Sequence, residues 1–351
     1  MKDILNELAT GDALSRERTV QCFTKMMEGK ATAVQMSAVL SIMAYRGAAA
    51  EELAGAAQVM QAKATPTIVP DGLVVIDTCG TGGDHANTFN ISTAAAIVAA
   101  GACLGHGVGV AKHGNRSVTS RSGSSQVLEA LGVNLNAGGE QHTRALEQAG
   151  ICFCYAPNHH PAMKYAAPIR AELGFRTIFN LLGPLTNPAG AKRQVIGVYD
   201  HALRHKMAKV LGLLGSEHAM VVHGQFTAGG EHDRMLAGLD ELSTTGVSQI
   251  AELNHGQINS YEIDPVDVGL PLGHPSALQV DCAEASAKII TGILAGDHSP
   301  ARDIVALNAA AALIVADLAE DLPEGIALAF EAIDSGKARA SLEKLIAITN
   351  G

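Results

Sequence analysis

Tryptophan is absent from this chain, and seven phenylalanines with five tyrosines bring aromatic residues to only 3% of the sequence. Alanine, valine, leucine and isoleucine therefore dominate its 47% apolar content, a composition suited to helices packed on a parallel sheet. Positive charge is also short. Lys and Arg number 25 against 35 Asp and Glu, a formal net charge of −10, which argues against nucleic acid or an anionic membrane as the main partner. The six cysteines include no C-x-x-C pair, so they read as buried reduced thiols and a zinc site is not expected. Cys152 and Cys154 are expected on opposite faces of a strand. No apolar run reaches the length of a membrane span, and Met1–Glu7 lacks the apolar stretch of an export signal, so a soluble cytoplasmic protein is expected. The glycosylation sequons at Asn90 and Asn115 are then coincidental. At 351 residues, the length suits two domains, or one large α/β domain with an appendage.

What is present is concentrated in one stretch, Asp77-Thr-Cys-Gly-Thr-Gly-Gly-Asp84, with Asn90-Ile-Ser-Thr93 shortly after it. The apolar Leu73–Ile76 reads as a buried strand and Ala94–Ala100 as the body of a helix. Strand, glycine loop and helix together turn bare backbone N–H groups toward an anion, and three glycines let the backbone approach it closely. The loop is neither a P-loop nor the spaced dinucleotide fingerprint, so a phosphorylated ligand of another kind is expected.

Residues 1 to about 65 read as short amphipathic helices, with a capping box at Thr32-x-x-Gln35, and Lys63–Pro70 reads as a linker. From Leu73 onward strands at 73–77, 107–111, 151–155, 194–199 and 218–223 alternate with helices near 92–103, 124–131, 140–149 and 201–214. This spacing predicts right-handed βαβ crossovers and a mainly parallel sheet. Residues 158–190 interrupt the alternation with a helical, then Gly/Pro-rich excursion that could pack against the N-terminal helices. Short strands, candidates for antiparallel pairing, fall within 247–263, and three or four helices within 281–348.

Three further clusters carry chemistry. Lys112-His-Gly-Asn-Arg116, followed by Ser117, Thr119, Ser120 and Ser122, puts two cations, an imidazole and hydroxyls just beyond a strand, in what reads either as an anion pocket or as a solvated basic loop. Loops at strand carboxyl ends are where open α/β sheets bind ligands. Asp240-Glu241 is a solvated pair or a Mg²⁺ site. Arg170, with Arg176 six residues on, could clamp a carboxylate or pair with Glu172.

Taken together, Gly80–Asp84, Asn90–Thr93, Lys112–Arg116 and Arg170–Pro188 occur in an order that resembles the anthranilate phosphoribosyltransferase family, nearly end to end. The resemblance implies transfer of the 5-phosphoribosyl group from phosphoribosyl pyrophosphate (PRPP) to the amino group of anthranilate in tryptophan biosynthesis, with Mg²⁺ required. It implies an α/β large domain with a mainly parallel central sheet flanked by helices, residues 71–157 and 191–351. A small all-helical domain, residues 1–67 completed by 158–190, would form homodimers. Carried over by motif, Gly80, Gly83, Asp84, Thr88, Asn90, Ile91, Ser92, Thr93, Lys112, His113, Gly114, Asn115, Arg116 and Ser120 contact PRPP. Gly80, Asn115 and Arg170 contact anthranilate, and Ser92, Asp240 and Glu241 hold the metal. No residue is assigned as an obligatory general base; His113 is the one nearby candidate, and a hydrogen-bonding role suits it better.

Two departures stand out. Thirteen residues, Gln225–Ala237, separate Gly224 from Gly238 where the family has one or two, which leaves the register of Asp240 and Glu241 open. Glu231, His232 and Asp233 in that insertion read as a solvated loop or an added ligand set. His85 stands where the family commonly has glycine, and would narrow the loop or add a polar contact. A pyrimidine nucleoside phosphorylase-like enzyme and a non-catalytic nucleic-acid-binding relative are the rival readings.

Overall fold

The computed structural model describes residues 1–116, 123–227 and 238–351. Ser117, Thr119, Ser120, Ser122, Glu231, His232 and Asp233 lie outside the described residues. Seven strands form one sheet: β1 (Val74–Gly80), β2 (Val108–Gly114), β3 (Ile151–Tyr155), β4 (Arg193–Gly197), β5 (His218–Gly224), β6 (Ser248–Asn254) and β7 (Gln257–Ile263). Their order is β3-β2-β1-β4-β5-β6-β7, with β1 to β5 parallel and β6 and β7 added antiparallel. Chain direction across the sheet reverses between β1 and β4. Connections leaving these two neighbours diverge, opening a crevice at their carboxyl ends.

The helices before the sheet are α1 (Lys2–Ala9), α2 (Arg16–Met27), α3 (Ala33–Arg46) and α4 (Ala50–Ala62). Within and after it follow α5 (Ile91–Cys103), α6 (Ser124–Ala130), α7 (Glu140–Ala149), α8 (Ala156–His159), α9 (Ala167–Leu173), α10 (Phe179–Leu182) and α11 (Leu203–Leu213). The last four are α12 (Ala283–Leu294), α13 (Pro300–Val315), α14 (Leu322–Asp334) and α15 (Lys337–Asn350). The expected capping box is present: Gln35 N–H donates to Thr32 Oγ1 at 3.2 Å and Thr32 N–H to Gln35 Oε1 at 3.1 Å.

Two apolar cores cover the two faces. One joins α5, α13, α14 and α15 to the sheet, and its helix interfaces are lined mainly by alanine, so the backbones approach closely without aromatic bulk. The other gathers Phe23, Met26, Leu40 and Leu53 of the N-terminal helices with Ile169, Phe179 and Leu182 of the excursion and Ile196 and Val221 of the sheet. The excursion thus packs back on the N-terminal helices, with α9 against α3 and α10 against α4. Among the described residues no helix is long and apolar enough to cross a membrane.

Two expectations are corrected. Cys152 and Cys154 share one face of β3, their sulfurs 3.9 Å apart, because side chains two residues apart on a strand point the same way. Strand β2 runs on to Gly114, so Lys112 and His113 belong to a buried strand, and only Asn115 and Arg116 of that motif enter the loop.

Candidate active site

At the β1/β4 reversal a cleft of about 720 Å³ opens between the sheet's carboxyl edge and the helical excursion. Its floor is the end of β1 and the glycine loop. Gly82 and Gly83 adopt φ of +67° and +81°, conformations that a Cβ would strain. Beneath them, a Cβ on Gly80 would overlap the Asp240 carboxylate and one on Gly197 the Asp240 backbone carbonyl. These two glycines, paired across β1 and β4, let the 238–241 turn lie directly on the strand ends.

That turn is held in register despite the long insertion. Gly224 and Leu239 exchange both backbone hydrogen bonds, at 2.9 and 2.7 Å, so the two ends of the insertion are pinned together. Asp240 Oδ2 accepts the Gly82 N–H at 2.7 Å, and Glu241 Oε1 accepts the Ser92 N–H at 3.0 Å in the first turn of α5. Asp84 Oδ2 lies 3.4 Å from the Asp240 nitrogen. The carboxylates therefore sit on the same N–H groups that the sequence assigns to an anionic ligand, one in the glycine loop and one at a helix N-terminus.

Crowding Asp240 and Glu241 together beside Asp84 disfavours the charged forms of the first two. Burial, with Asp84 and Glu241 nearby, pushes the Asp240 carboxyl well above the usual range, and burial raises Glu241 to about 7 against the opposing pull of Lys112. A divalent cation would relieve this repulsion, and oxygen-only donors suit Mg²⁺. Without a cation, a raised carboxyl stabilises the fold at acid pH and loses that contribution as pH rises through 7. Replacing Glu241 with glutamine is therefore expected to flatten the profile. In Mg²⁺-free thermal melts, wild type should lose up to about 3 kcal/mol relative to E241Q between about pH 5 and about pH 8. Parallel profiles would contradict the placement of Glu241.

Lys112 forms the back wall. Its Nζ donates to Thr78 O at 2.6 Å and Ser92 Oγ at 3.3 Å, and burial lowers its pKa while Asp77 raises it. His113 Nδ1 meets Gly183 O at 3.1 Å and its Nε2 meets His160 Nε2 at 3.2 Å. Burial, with His160 beside it, drives His113 down to about 3. A neutral imidazole with both nitrogens engaged is a structural link between β2 and the excursion.

Most sequence-derived residues converge here: Gly80, Gly83, Asp84, Thr88, Asn90, Ile91, Ser92, Lys112 through Arg116, Arg170, Asp240 and Glu241 all line the cleft. Thr93 does not line it. It is buried behind the first turn of α5, its N–H donated to the N-cap Asn90 Oδ1 at 3.1 Å, and so it supports the cap. Arg116 stands at the rim, bound to Glu129 at 3.0 Å and the Tyr155 hydroxyl at 3.1 Å.

Arg170 forms no ion pair with Glu172 or any other acid among the described residues. It lies over the Phe179 ring, 5.3 Å from its centroid, half-buried, and desolvation lowers its pKa. A cation without a counter-ion in a cleft wall suits a carboxylate ligand. Arg176, singled out with Arg170 as a possible carboxylate clamp, instead braces the glycine loop. It donates to Gly83 O, covers the Tyr199 ring at 4.0 Å and reaches His85 Nε2 at 3.3 Å, tying the glycine loop to the excursion. Nothing in the local sequence brings position 176 to position 83, which are 93 residues apart.

His85 has φ of +60°, the left-handed region that glycine adopts most readily. It adds a polar contact to Arg176. H85G removes that contact and about 1 kcal/mol of backbone strain, offset by glycine's greater unfolded-state freedom. The expected outcome is an unchanged melting temperature with a few-fold weaker binding of a phosphorylated ligand; tighter binding would mean that the imidazole obstructs the loop instead.

Comparison with known proteins agrees with this geometry. Residues 72–339 match the family model described as the glycosyl transferase family a/b domain, and residues 2–64 match its helical bundle domain. The chain is 46% identical to an anthranilate phosphoribosyltransferase of Methylobacillus flagellatus, over 98% of this chain and 97% of the relative. It is 48% identical to that of Caulobacter vibrioides, over 99% and 97%. Among solved structures, the anthranilate phosphoribosyltransferase of Thermus thermophilus superposes with a TM-score of 0.88 at 38% identity, covering 99% of this chain and all of that one. The Saccharomyces cerevisiae enzyme, solved in complex with PRPP and Mg, gives 0.84 at 26% identity, over 99% and 97%. With glycine loop, carboxylate turn and helical excursion closing on one cleft, and with identity sustained along the whole chain, this protein belongs to the anthranilate phosphoribosyltransferase family.

Proposed function

We propose that this cleft transfers the 5-phosphoribosyl group of PRPP to the amino group of anthranilate, giving N-(5-phosphoribosyl)anthranilate and pyrophosphate. The observation that carries the reading is the seating of Asp240 and Glu241 on the Gly82 and Ser92 N–H groups. These carboxylates act as stand-ins for donor oxygens. With Asp240 and Glu241 engaged by a cation, the N–H groups of Gly82 and Ser92 would be free to donate to the pyrophosphate. Asp240 and Glu241, with Ser92, would hold Mg²⁺, which supplies charge neutralisation to the leaving pyrophosphate.

In the reaction the C1–oxygen bond to pyrophosphate breaks and the anthranilate nitrogen bonds to C1. The resulting arylammonium is acidic and gives up its proton to pyrophosphate or water. Arylamines are largely neutral near pH 7 and bring a free lone pair, so no base is needed before attack, in keeping with the engaged state of His113. Arg170 and Asn115 would hold the anthranilate carboxylate with its nitrogen toward C1. The contacts of Arg176 with the glycine loop would keep water from C1. The deciding assay follows anthranilate fluorescence with PRPP, with and without Mg²⁺; no Mg²⁺-dependent consumption would refute the assignment.

The division into a helical unit, residues 1–67 with 158–190, and an α/β unit, 71–157 with 191–351, is supported by the packing of α9 and α10 on α3 and α4. A homodimer through the helical unit, working in the cytoplasm, completes the proposal. Val34 and Tyr45 of α3 are 80% and 96% exposed and, eleven positions apart, share one face of that helix. The double substitution V34D/Y45D is expected to give monomers by light scattering; an undisturbed dimer would place the interface elsewhere.

A further inference from the structure

Outside the lining of the cleft lies a second cluster of ligating side chains that the transfer reaction does not use. His142 on α7, Cys154 on β3 and His159 at the end of α8 are all buried, and one ring nitrogen of each histidine and the Cys154 sulfur lie within 4.8 Å of one another. His142 is 3% exposed, His159 5% and Cys154 0%. Among the described residues each ring keeps one nitrogen without a hydrogen-bond partner, Nδ1 in His142 and Nε2 in His159. Two orphaned polar atoms on neighbouring buried rings are costly unless something binds them.

We propose that His142, Cys154 and His159 form a structural binding site for a borderline-soft divalent metal ion, Zn²⁺ being the best match. Two imidazoles and a thiolate are a zinc-type donor set, unlike the all-oxygen set of the catalytic cleft. An ion at the centre of donors no more than 4.8 Å apart is within about 2.8 Å of each, and zinc bonds of about 2.0 to 2.3 Å need only small side-chain rotations.

The surroundings already orient the ligands. His159 Nδ1 lies 2.8 Å from Thr65 O, which fixes the proton there and leaves the Nε2 lone pair free to coordinate. The His142 ring stacks on the His159 ring with centroids 5.5 Å apart, and Thr67 Oγ1 is 3.3 Å from the Cys154 sulfur, placed to donate to a thiolate. On binding, a zinc–sulfur bond replaces the S–H bond and the thiol proton passes to solvent. The fourth position is left to a water. The ion would pin the edge strand β3 to α7 and α8, at the root of the excursion that carries Arg170. A C-x-x-C signature is missing because the three donors come from two helices and a strand.

The test uses the full chain, produced in zinc-supplemented medium and also loaded with Co²⁺. Elemental analysis of the wild-type protein is expected to give about one zinc per chain, falling below about 0.1 in C154A and in H142Q. D240N/E241Q, which alters the Mg²⁺ site, should retain the zinc. The cobalt form of wild type should show a thiolate-to-metal charge-transfer band and the visible bands of tetrahedral Co²⁺. That spectrum needs no variant to fold. A wild-type protein without zinc and without the cobalt bands would overturn the proposal. So would zinc that persists in folded C154A, or that leaves with D240N/E241Q.

Discussion

Alanine at both Asp240 and Glu241 is expected to lower Mg²⁺-dependent turnover by at least about 10³-fold, the scale on which charge stabilisation at a leaving group acts. The fold should survive. Both carboxyls are strained by burial and by each other, since their charged forms are disfavoured where they stand, so their removal relieves repulsion. Two N–H groups, those of Gly82 and Ser92, lose their acceptors, but both border an open cleft where water replaces a carboxylate at little cost. Melting temperature in Mg²⁺-free buffer at neutral pH is therefore expected to hold or rise while turnover collapses. This opposite movement separates a metal role from a scaffolding one. Near-normal activity in the double variant would sink the metal assignment, and a protein that unfolds would show that the turn is structural.

The reason so much of this site was legible lies in chain locality. Gly80–Asp84, Asn90–Thr93 and Lys112–Arg116 each lie on a single strand-to-helix or strand-to-loop junction, where glycine spacing, an N-cap and apolar periodicity act within a few residues. The sheet followed in the same way, including its antiparallel edge at 248–263. Burial along β2 was less legible: Lys112 and His113 look like loop residues by polarity, and the contacts of Lys112 with Thr78 and of His113 with Asp77 and His160, 34, 36 and 47 residues away, make them core. Thr93 carries a binding-type side chain, yet helix phase turns it inward. The bracing role of Arg176 and the His142–Cys154–His159 cluster depend wholly on how distant segments meet, and no local pattern announces them. The register of Asp240 and Glu241 was open for a related reason, since it rests on the Gly224–Leu239 bridge across the insertion.

Arg170 offers the sharper test of substrate placement. R170A is expected to raise KM for anthranilate by about 10- to 100-fold, the worth of a charge-assisted hydrogen bond to a carboxylate, with KM for PRPP changed less than about 3-fold. The asymmetry follows from position. The donor's oxygens would have the N–H groups of Gly82 and Ser92 and the Lys112 side chain on the sheet side, whereas Arg170 stands on the excursion, over Phe179. Stability should fall little, because the guanidinium has no ion pair among the described residues to lose and burial already disfavours its charge. Lysine in its place keeps the charge but not the paired N–H geometry, so R170K should recover only part of the loss. If KM for PRPP rose instead while that for anthranilate held, the acceptor would have to bind on the sheet side and the two substrate positions would be exchanged.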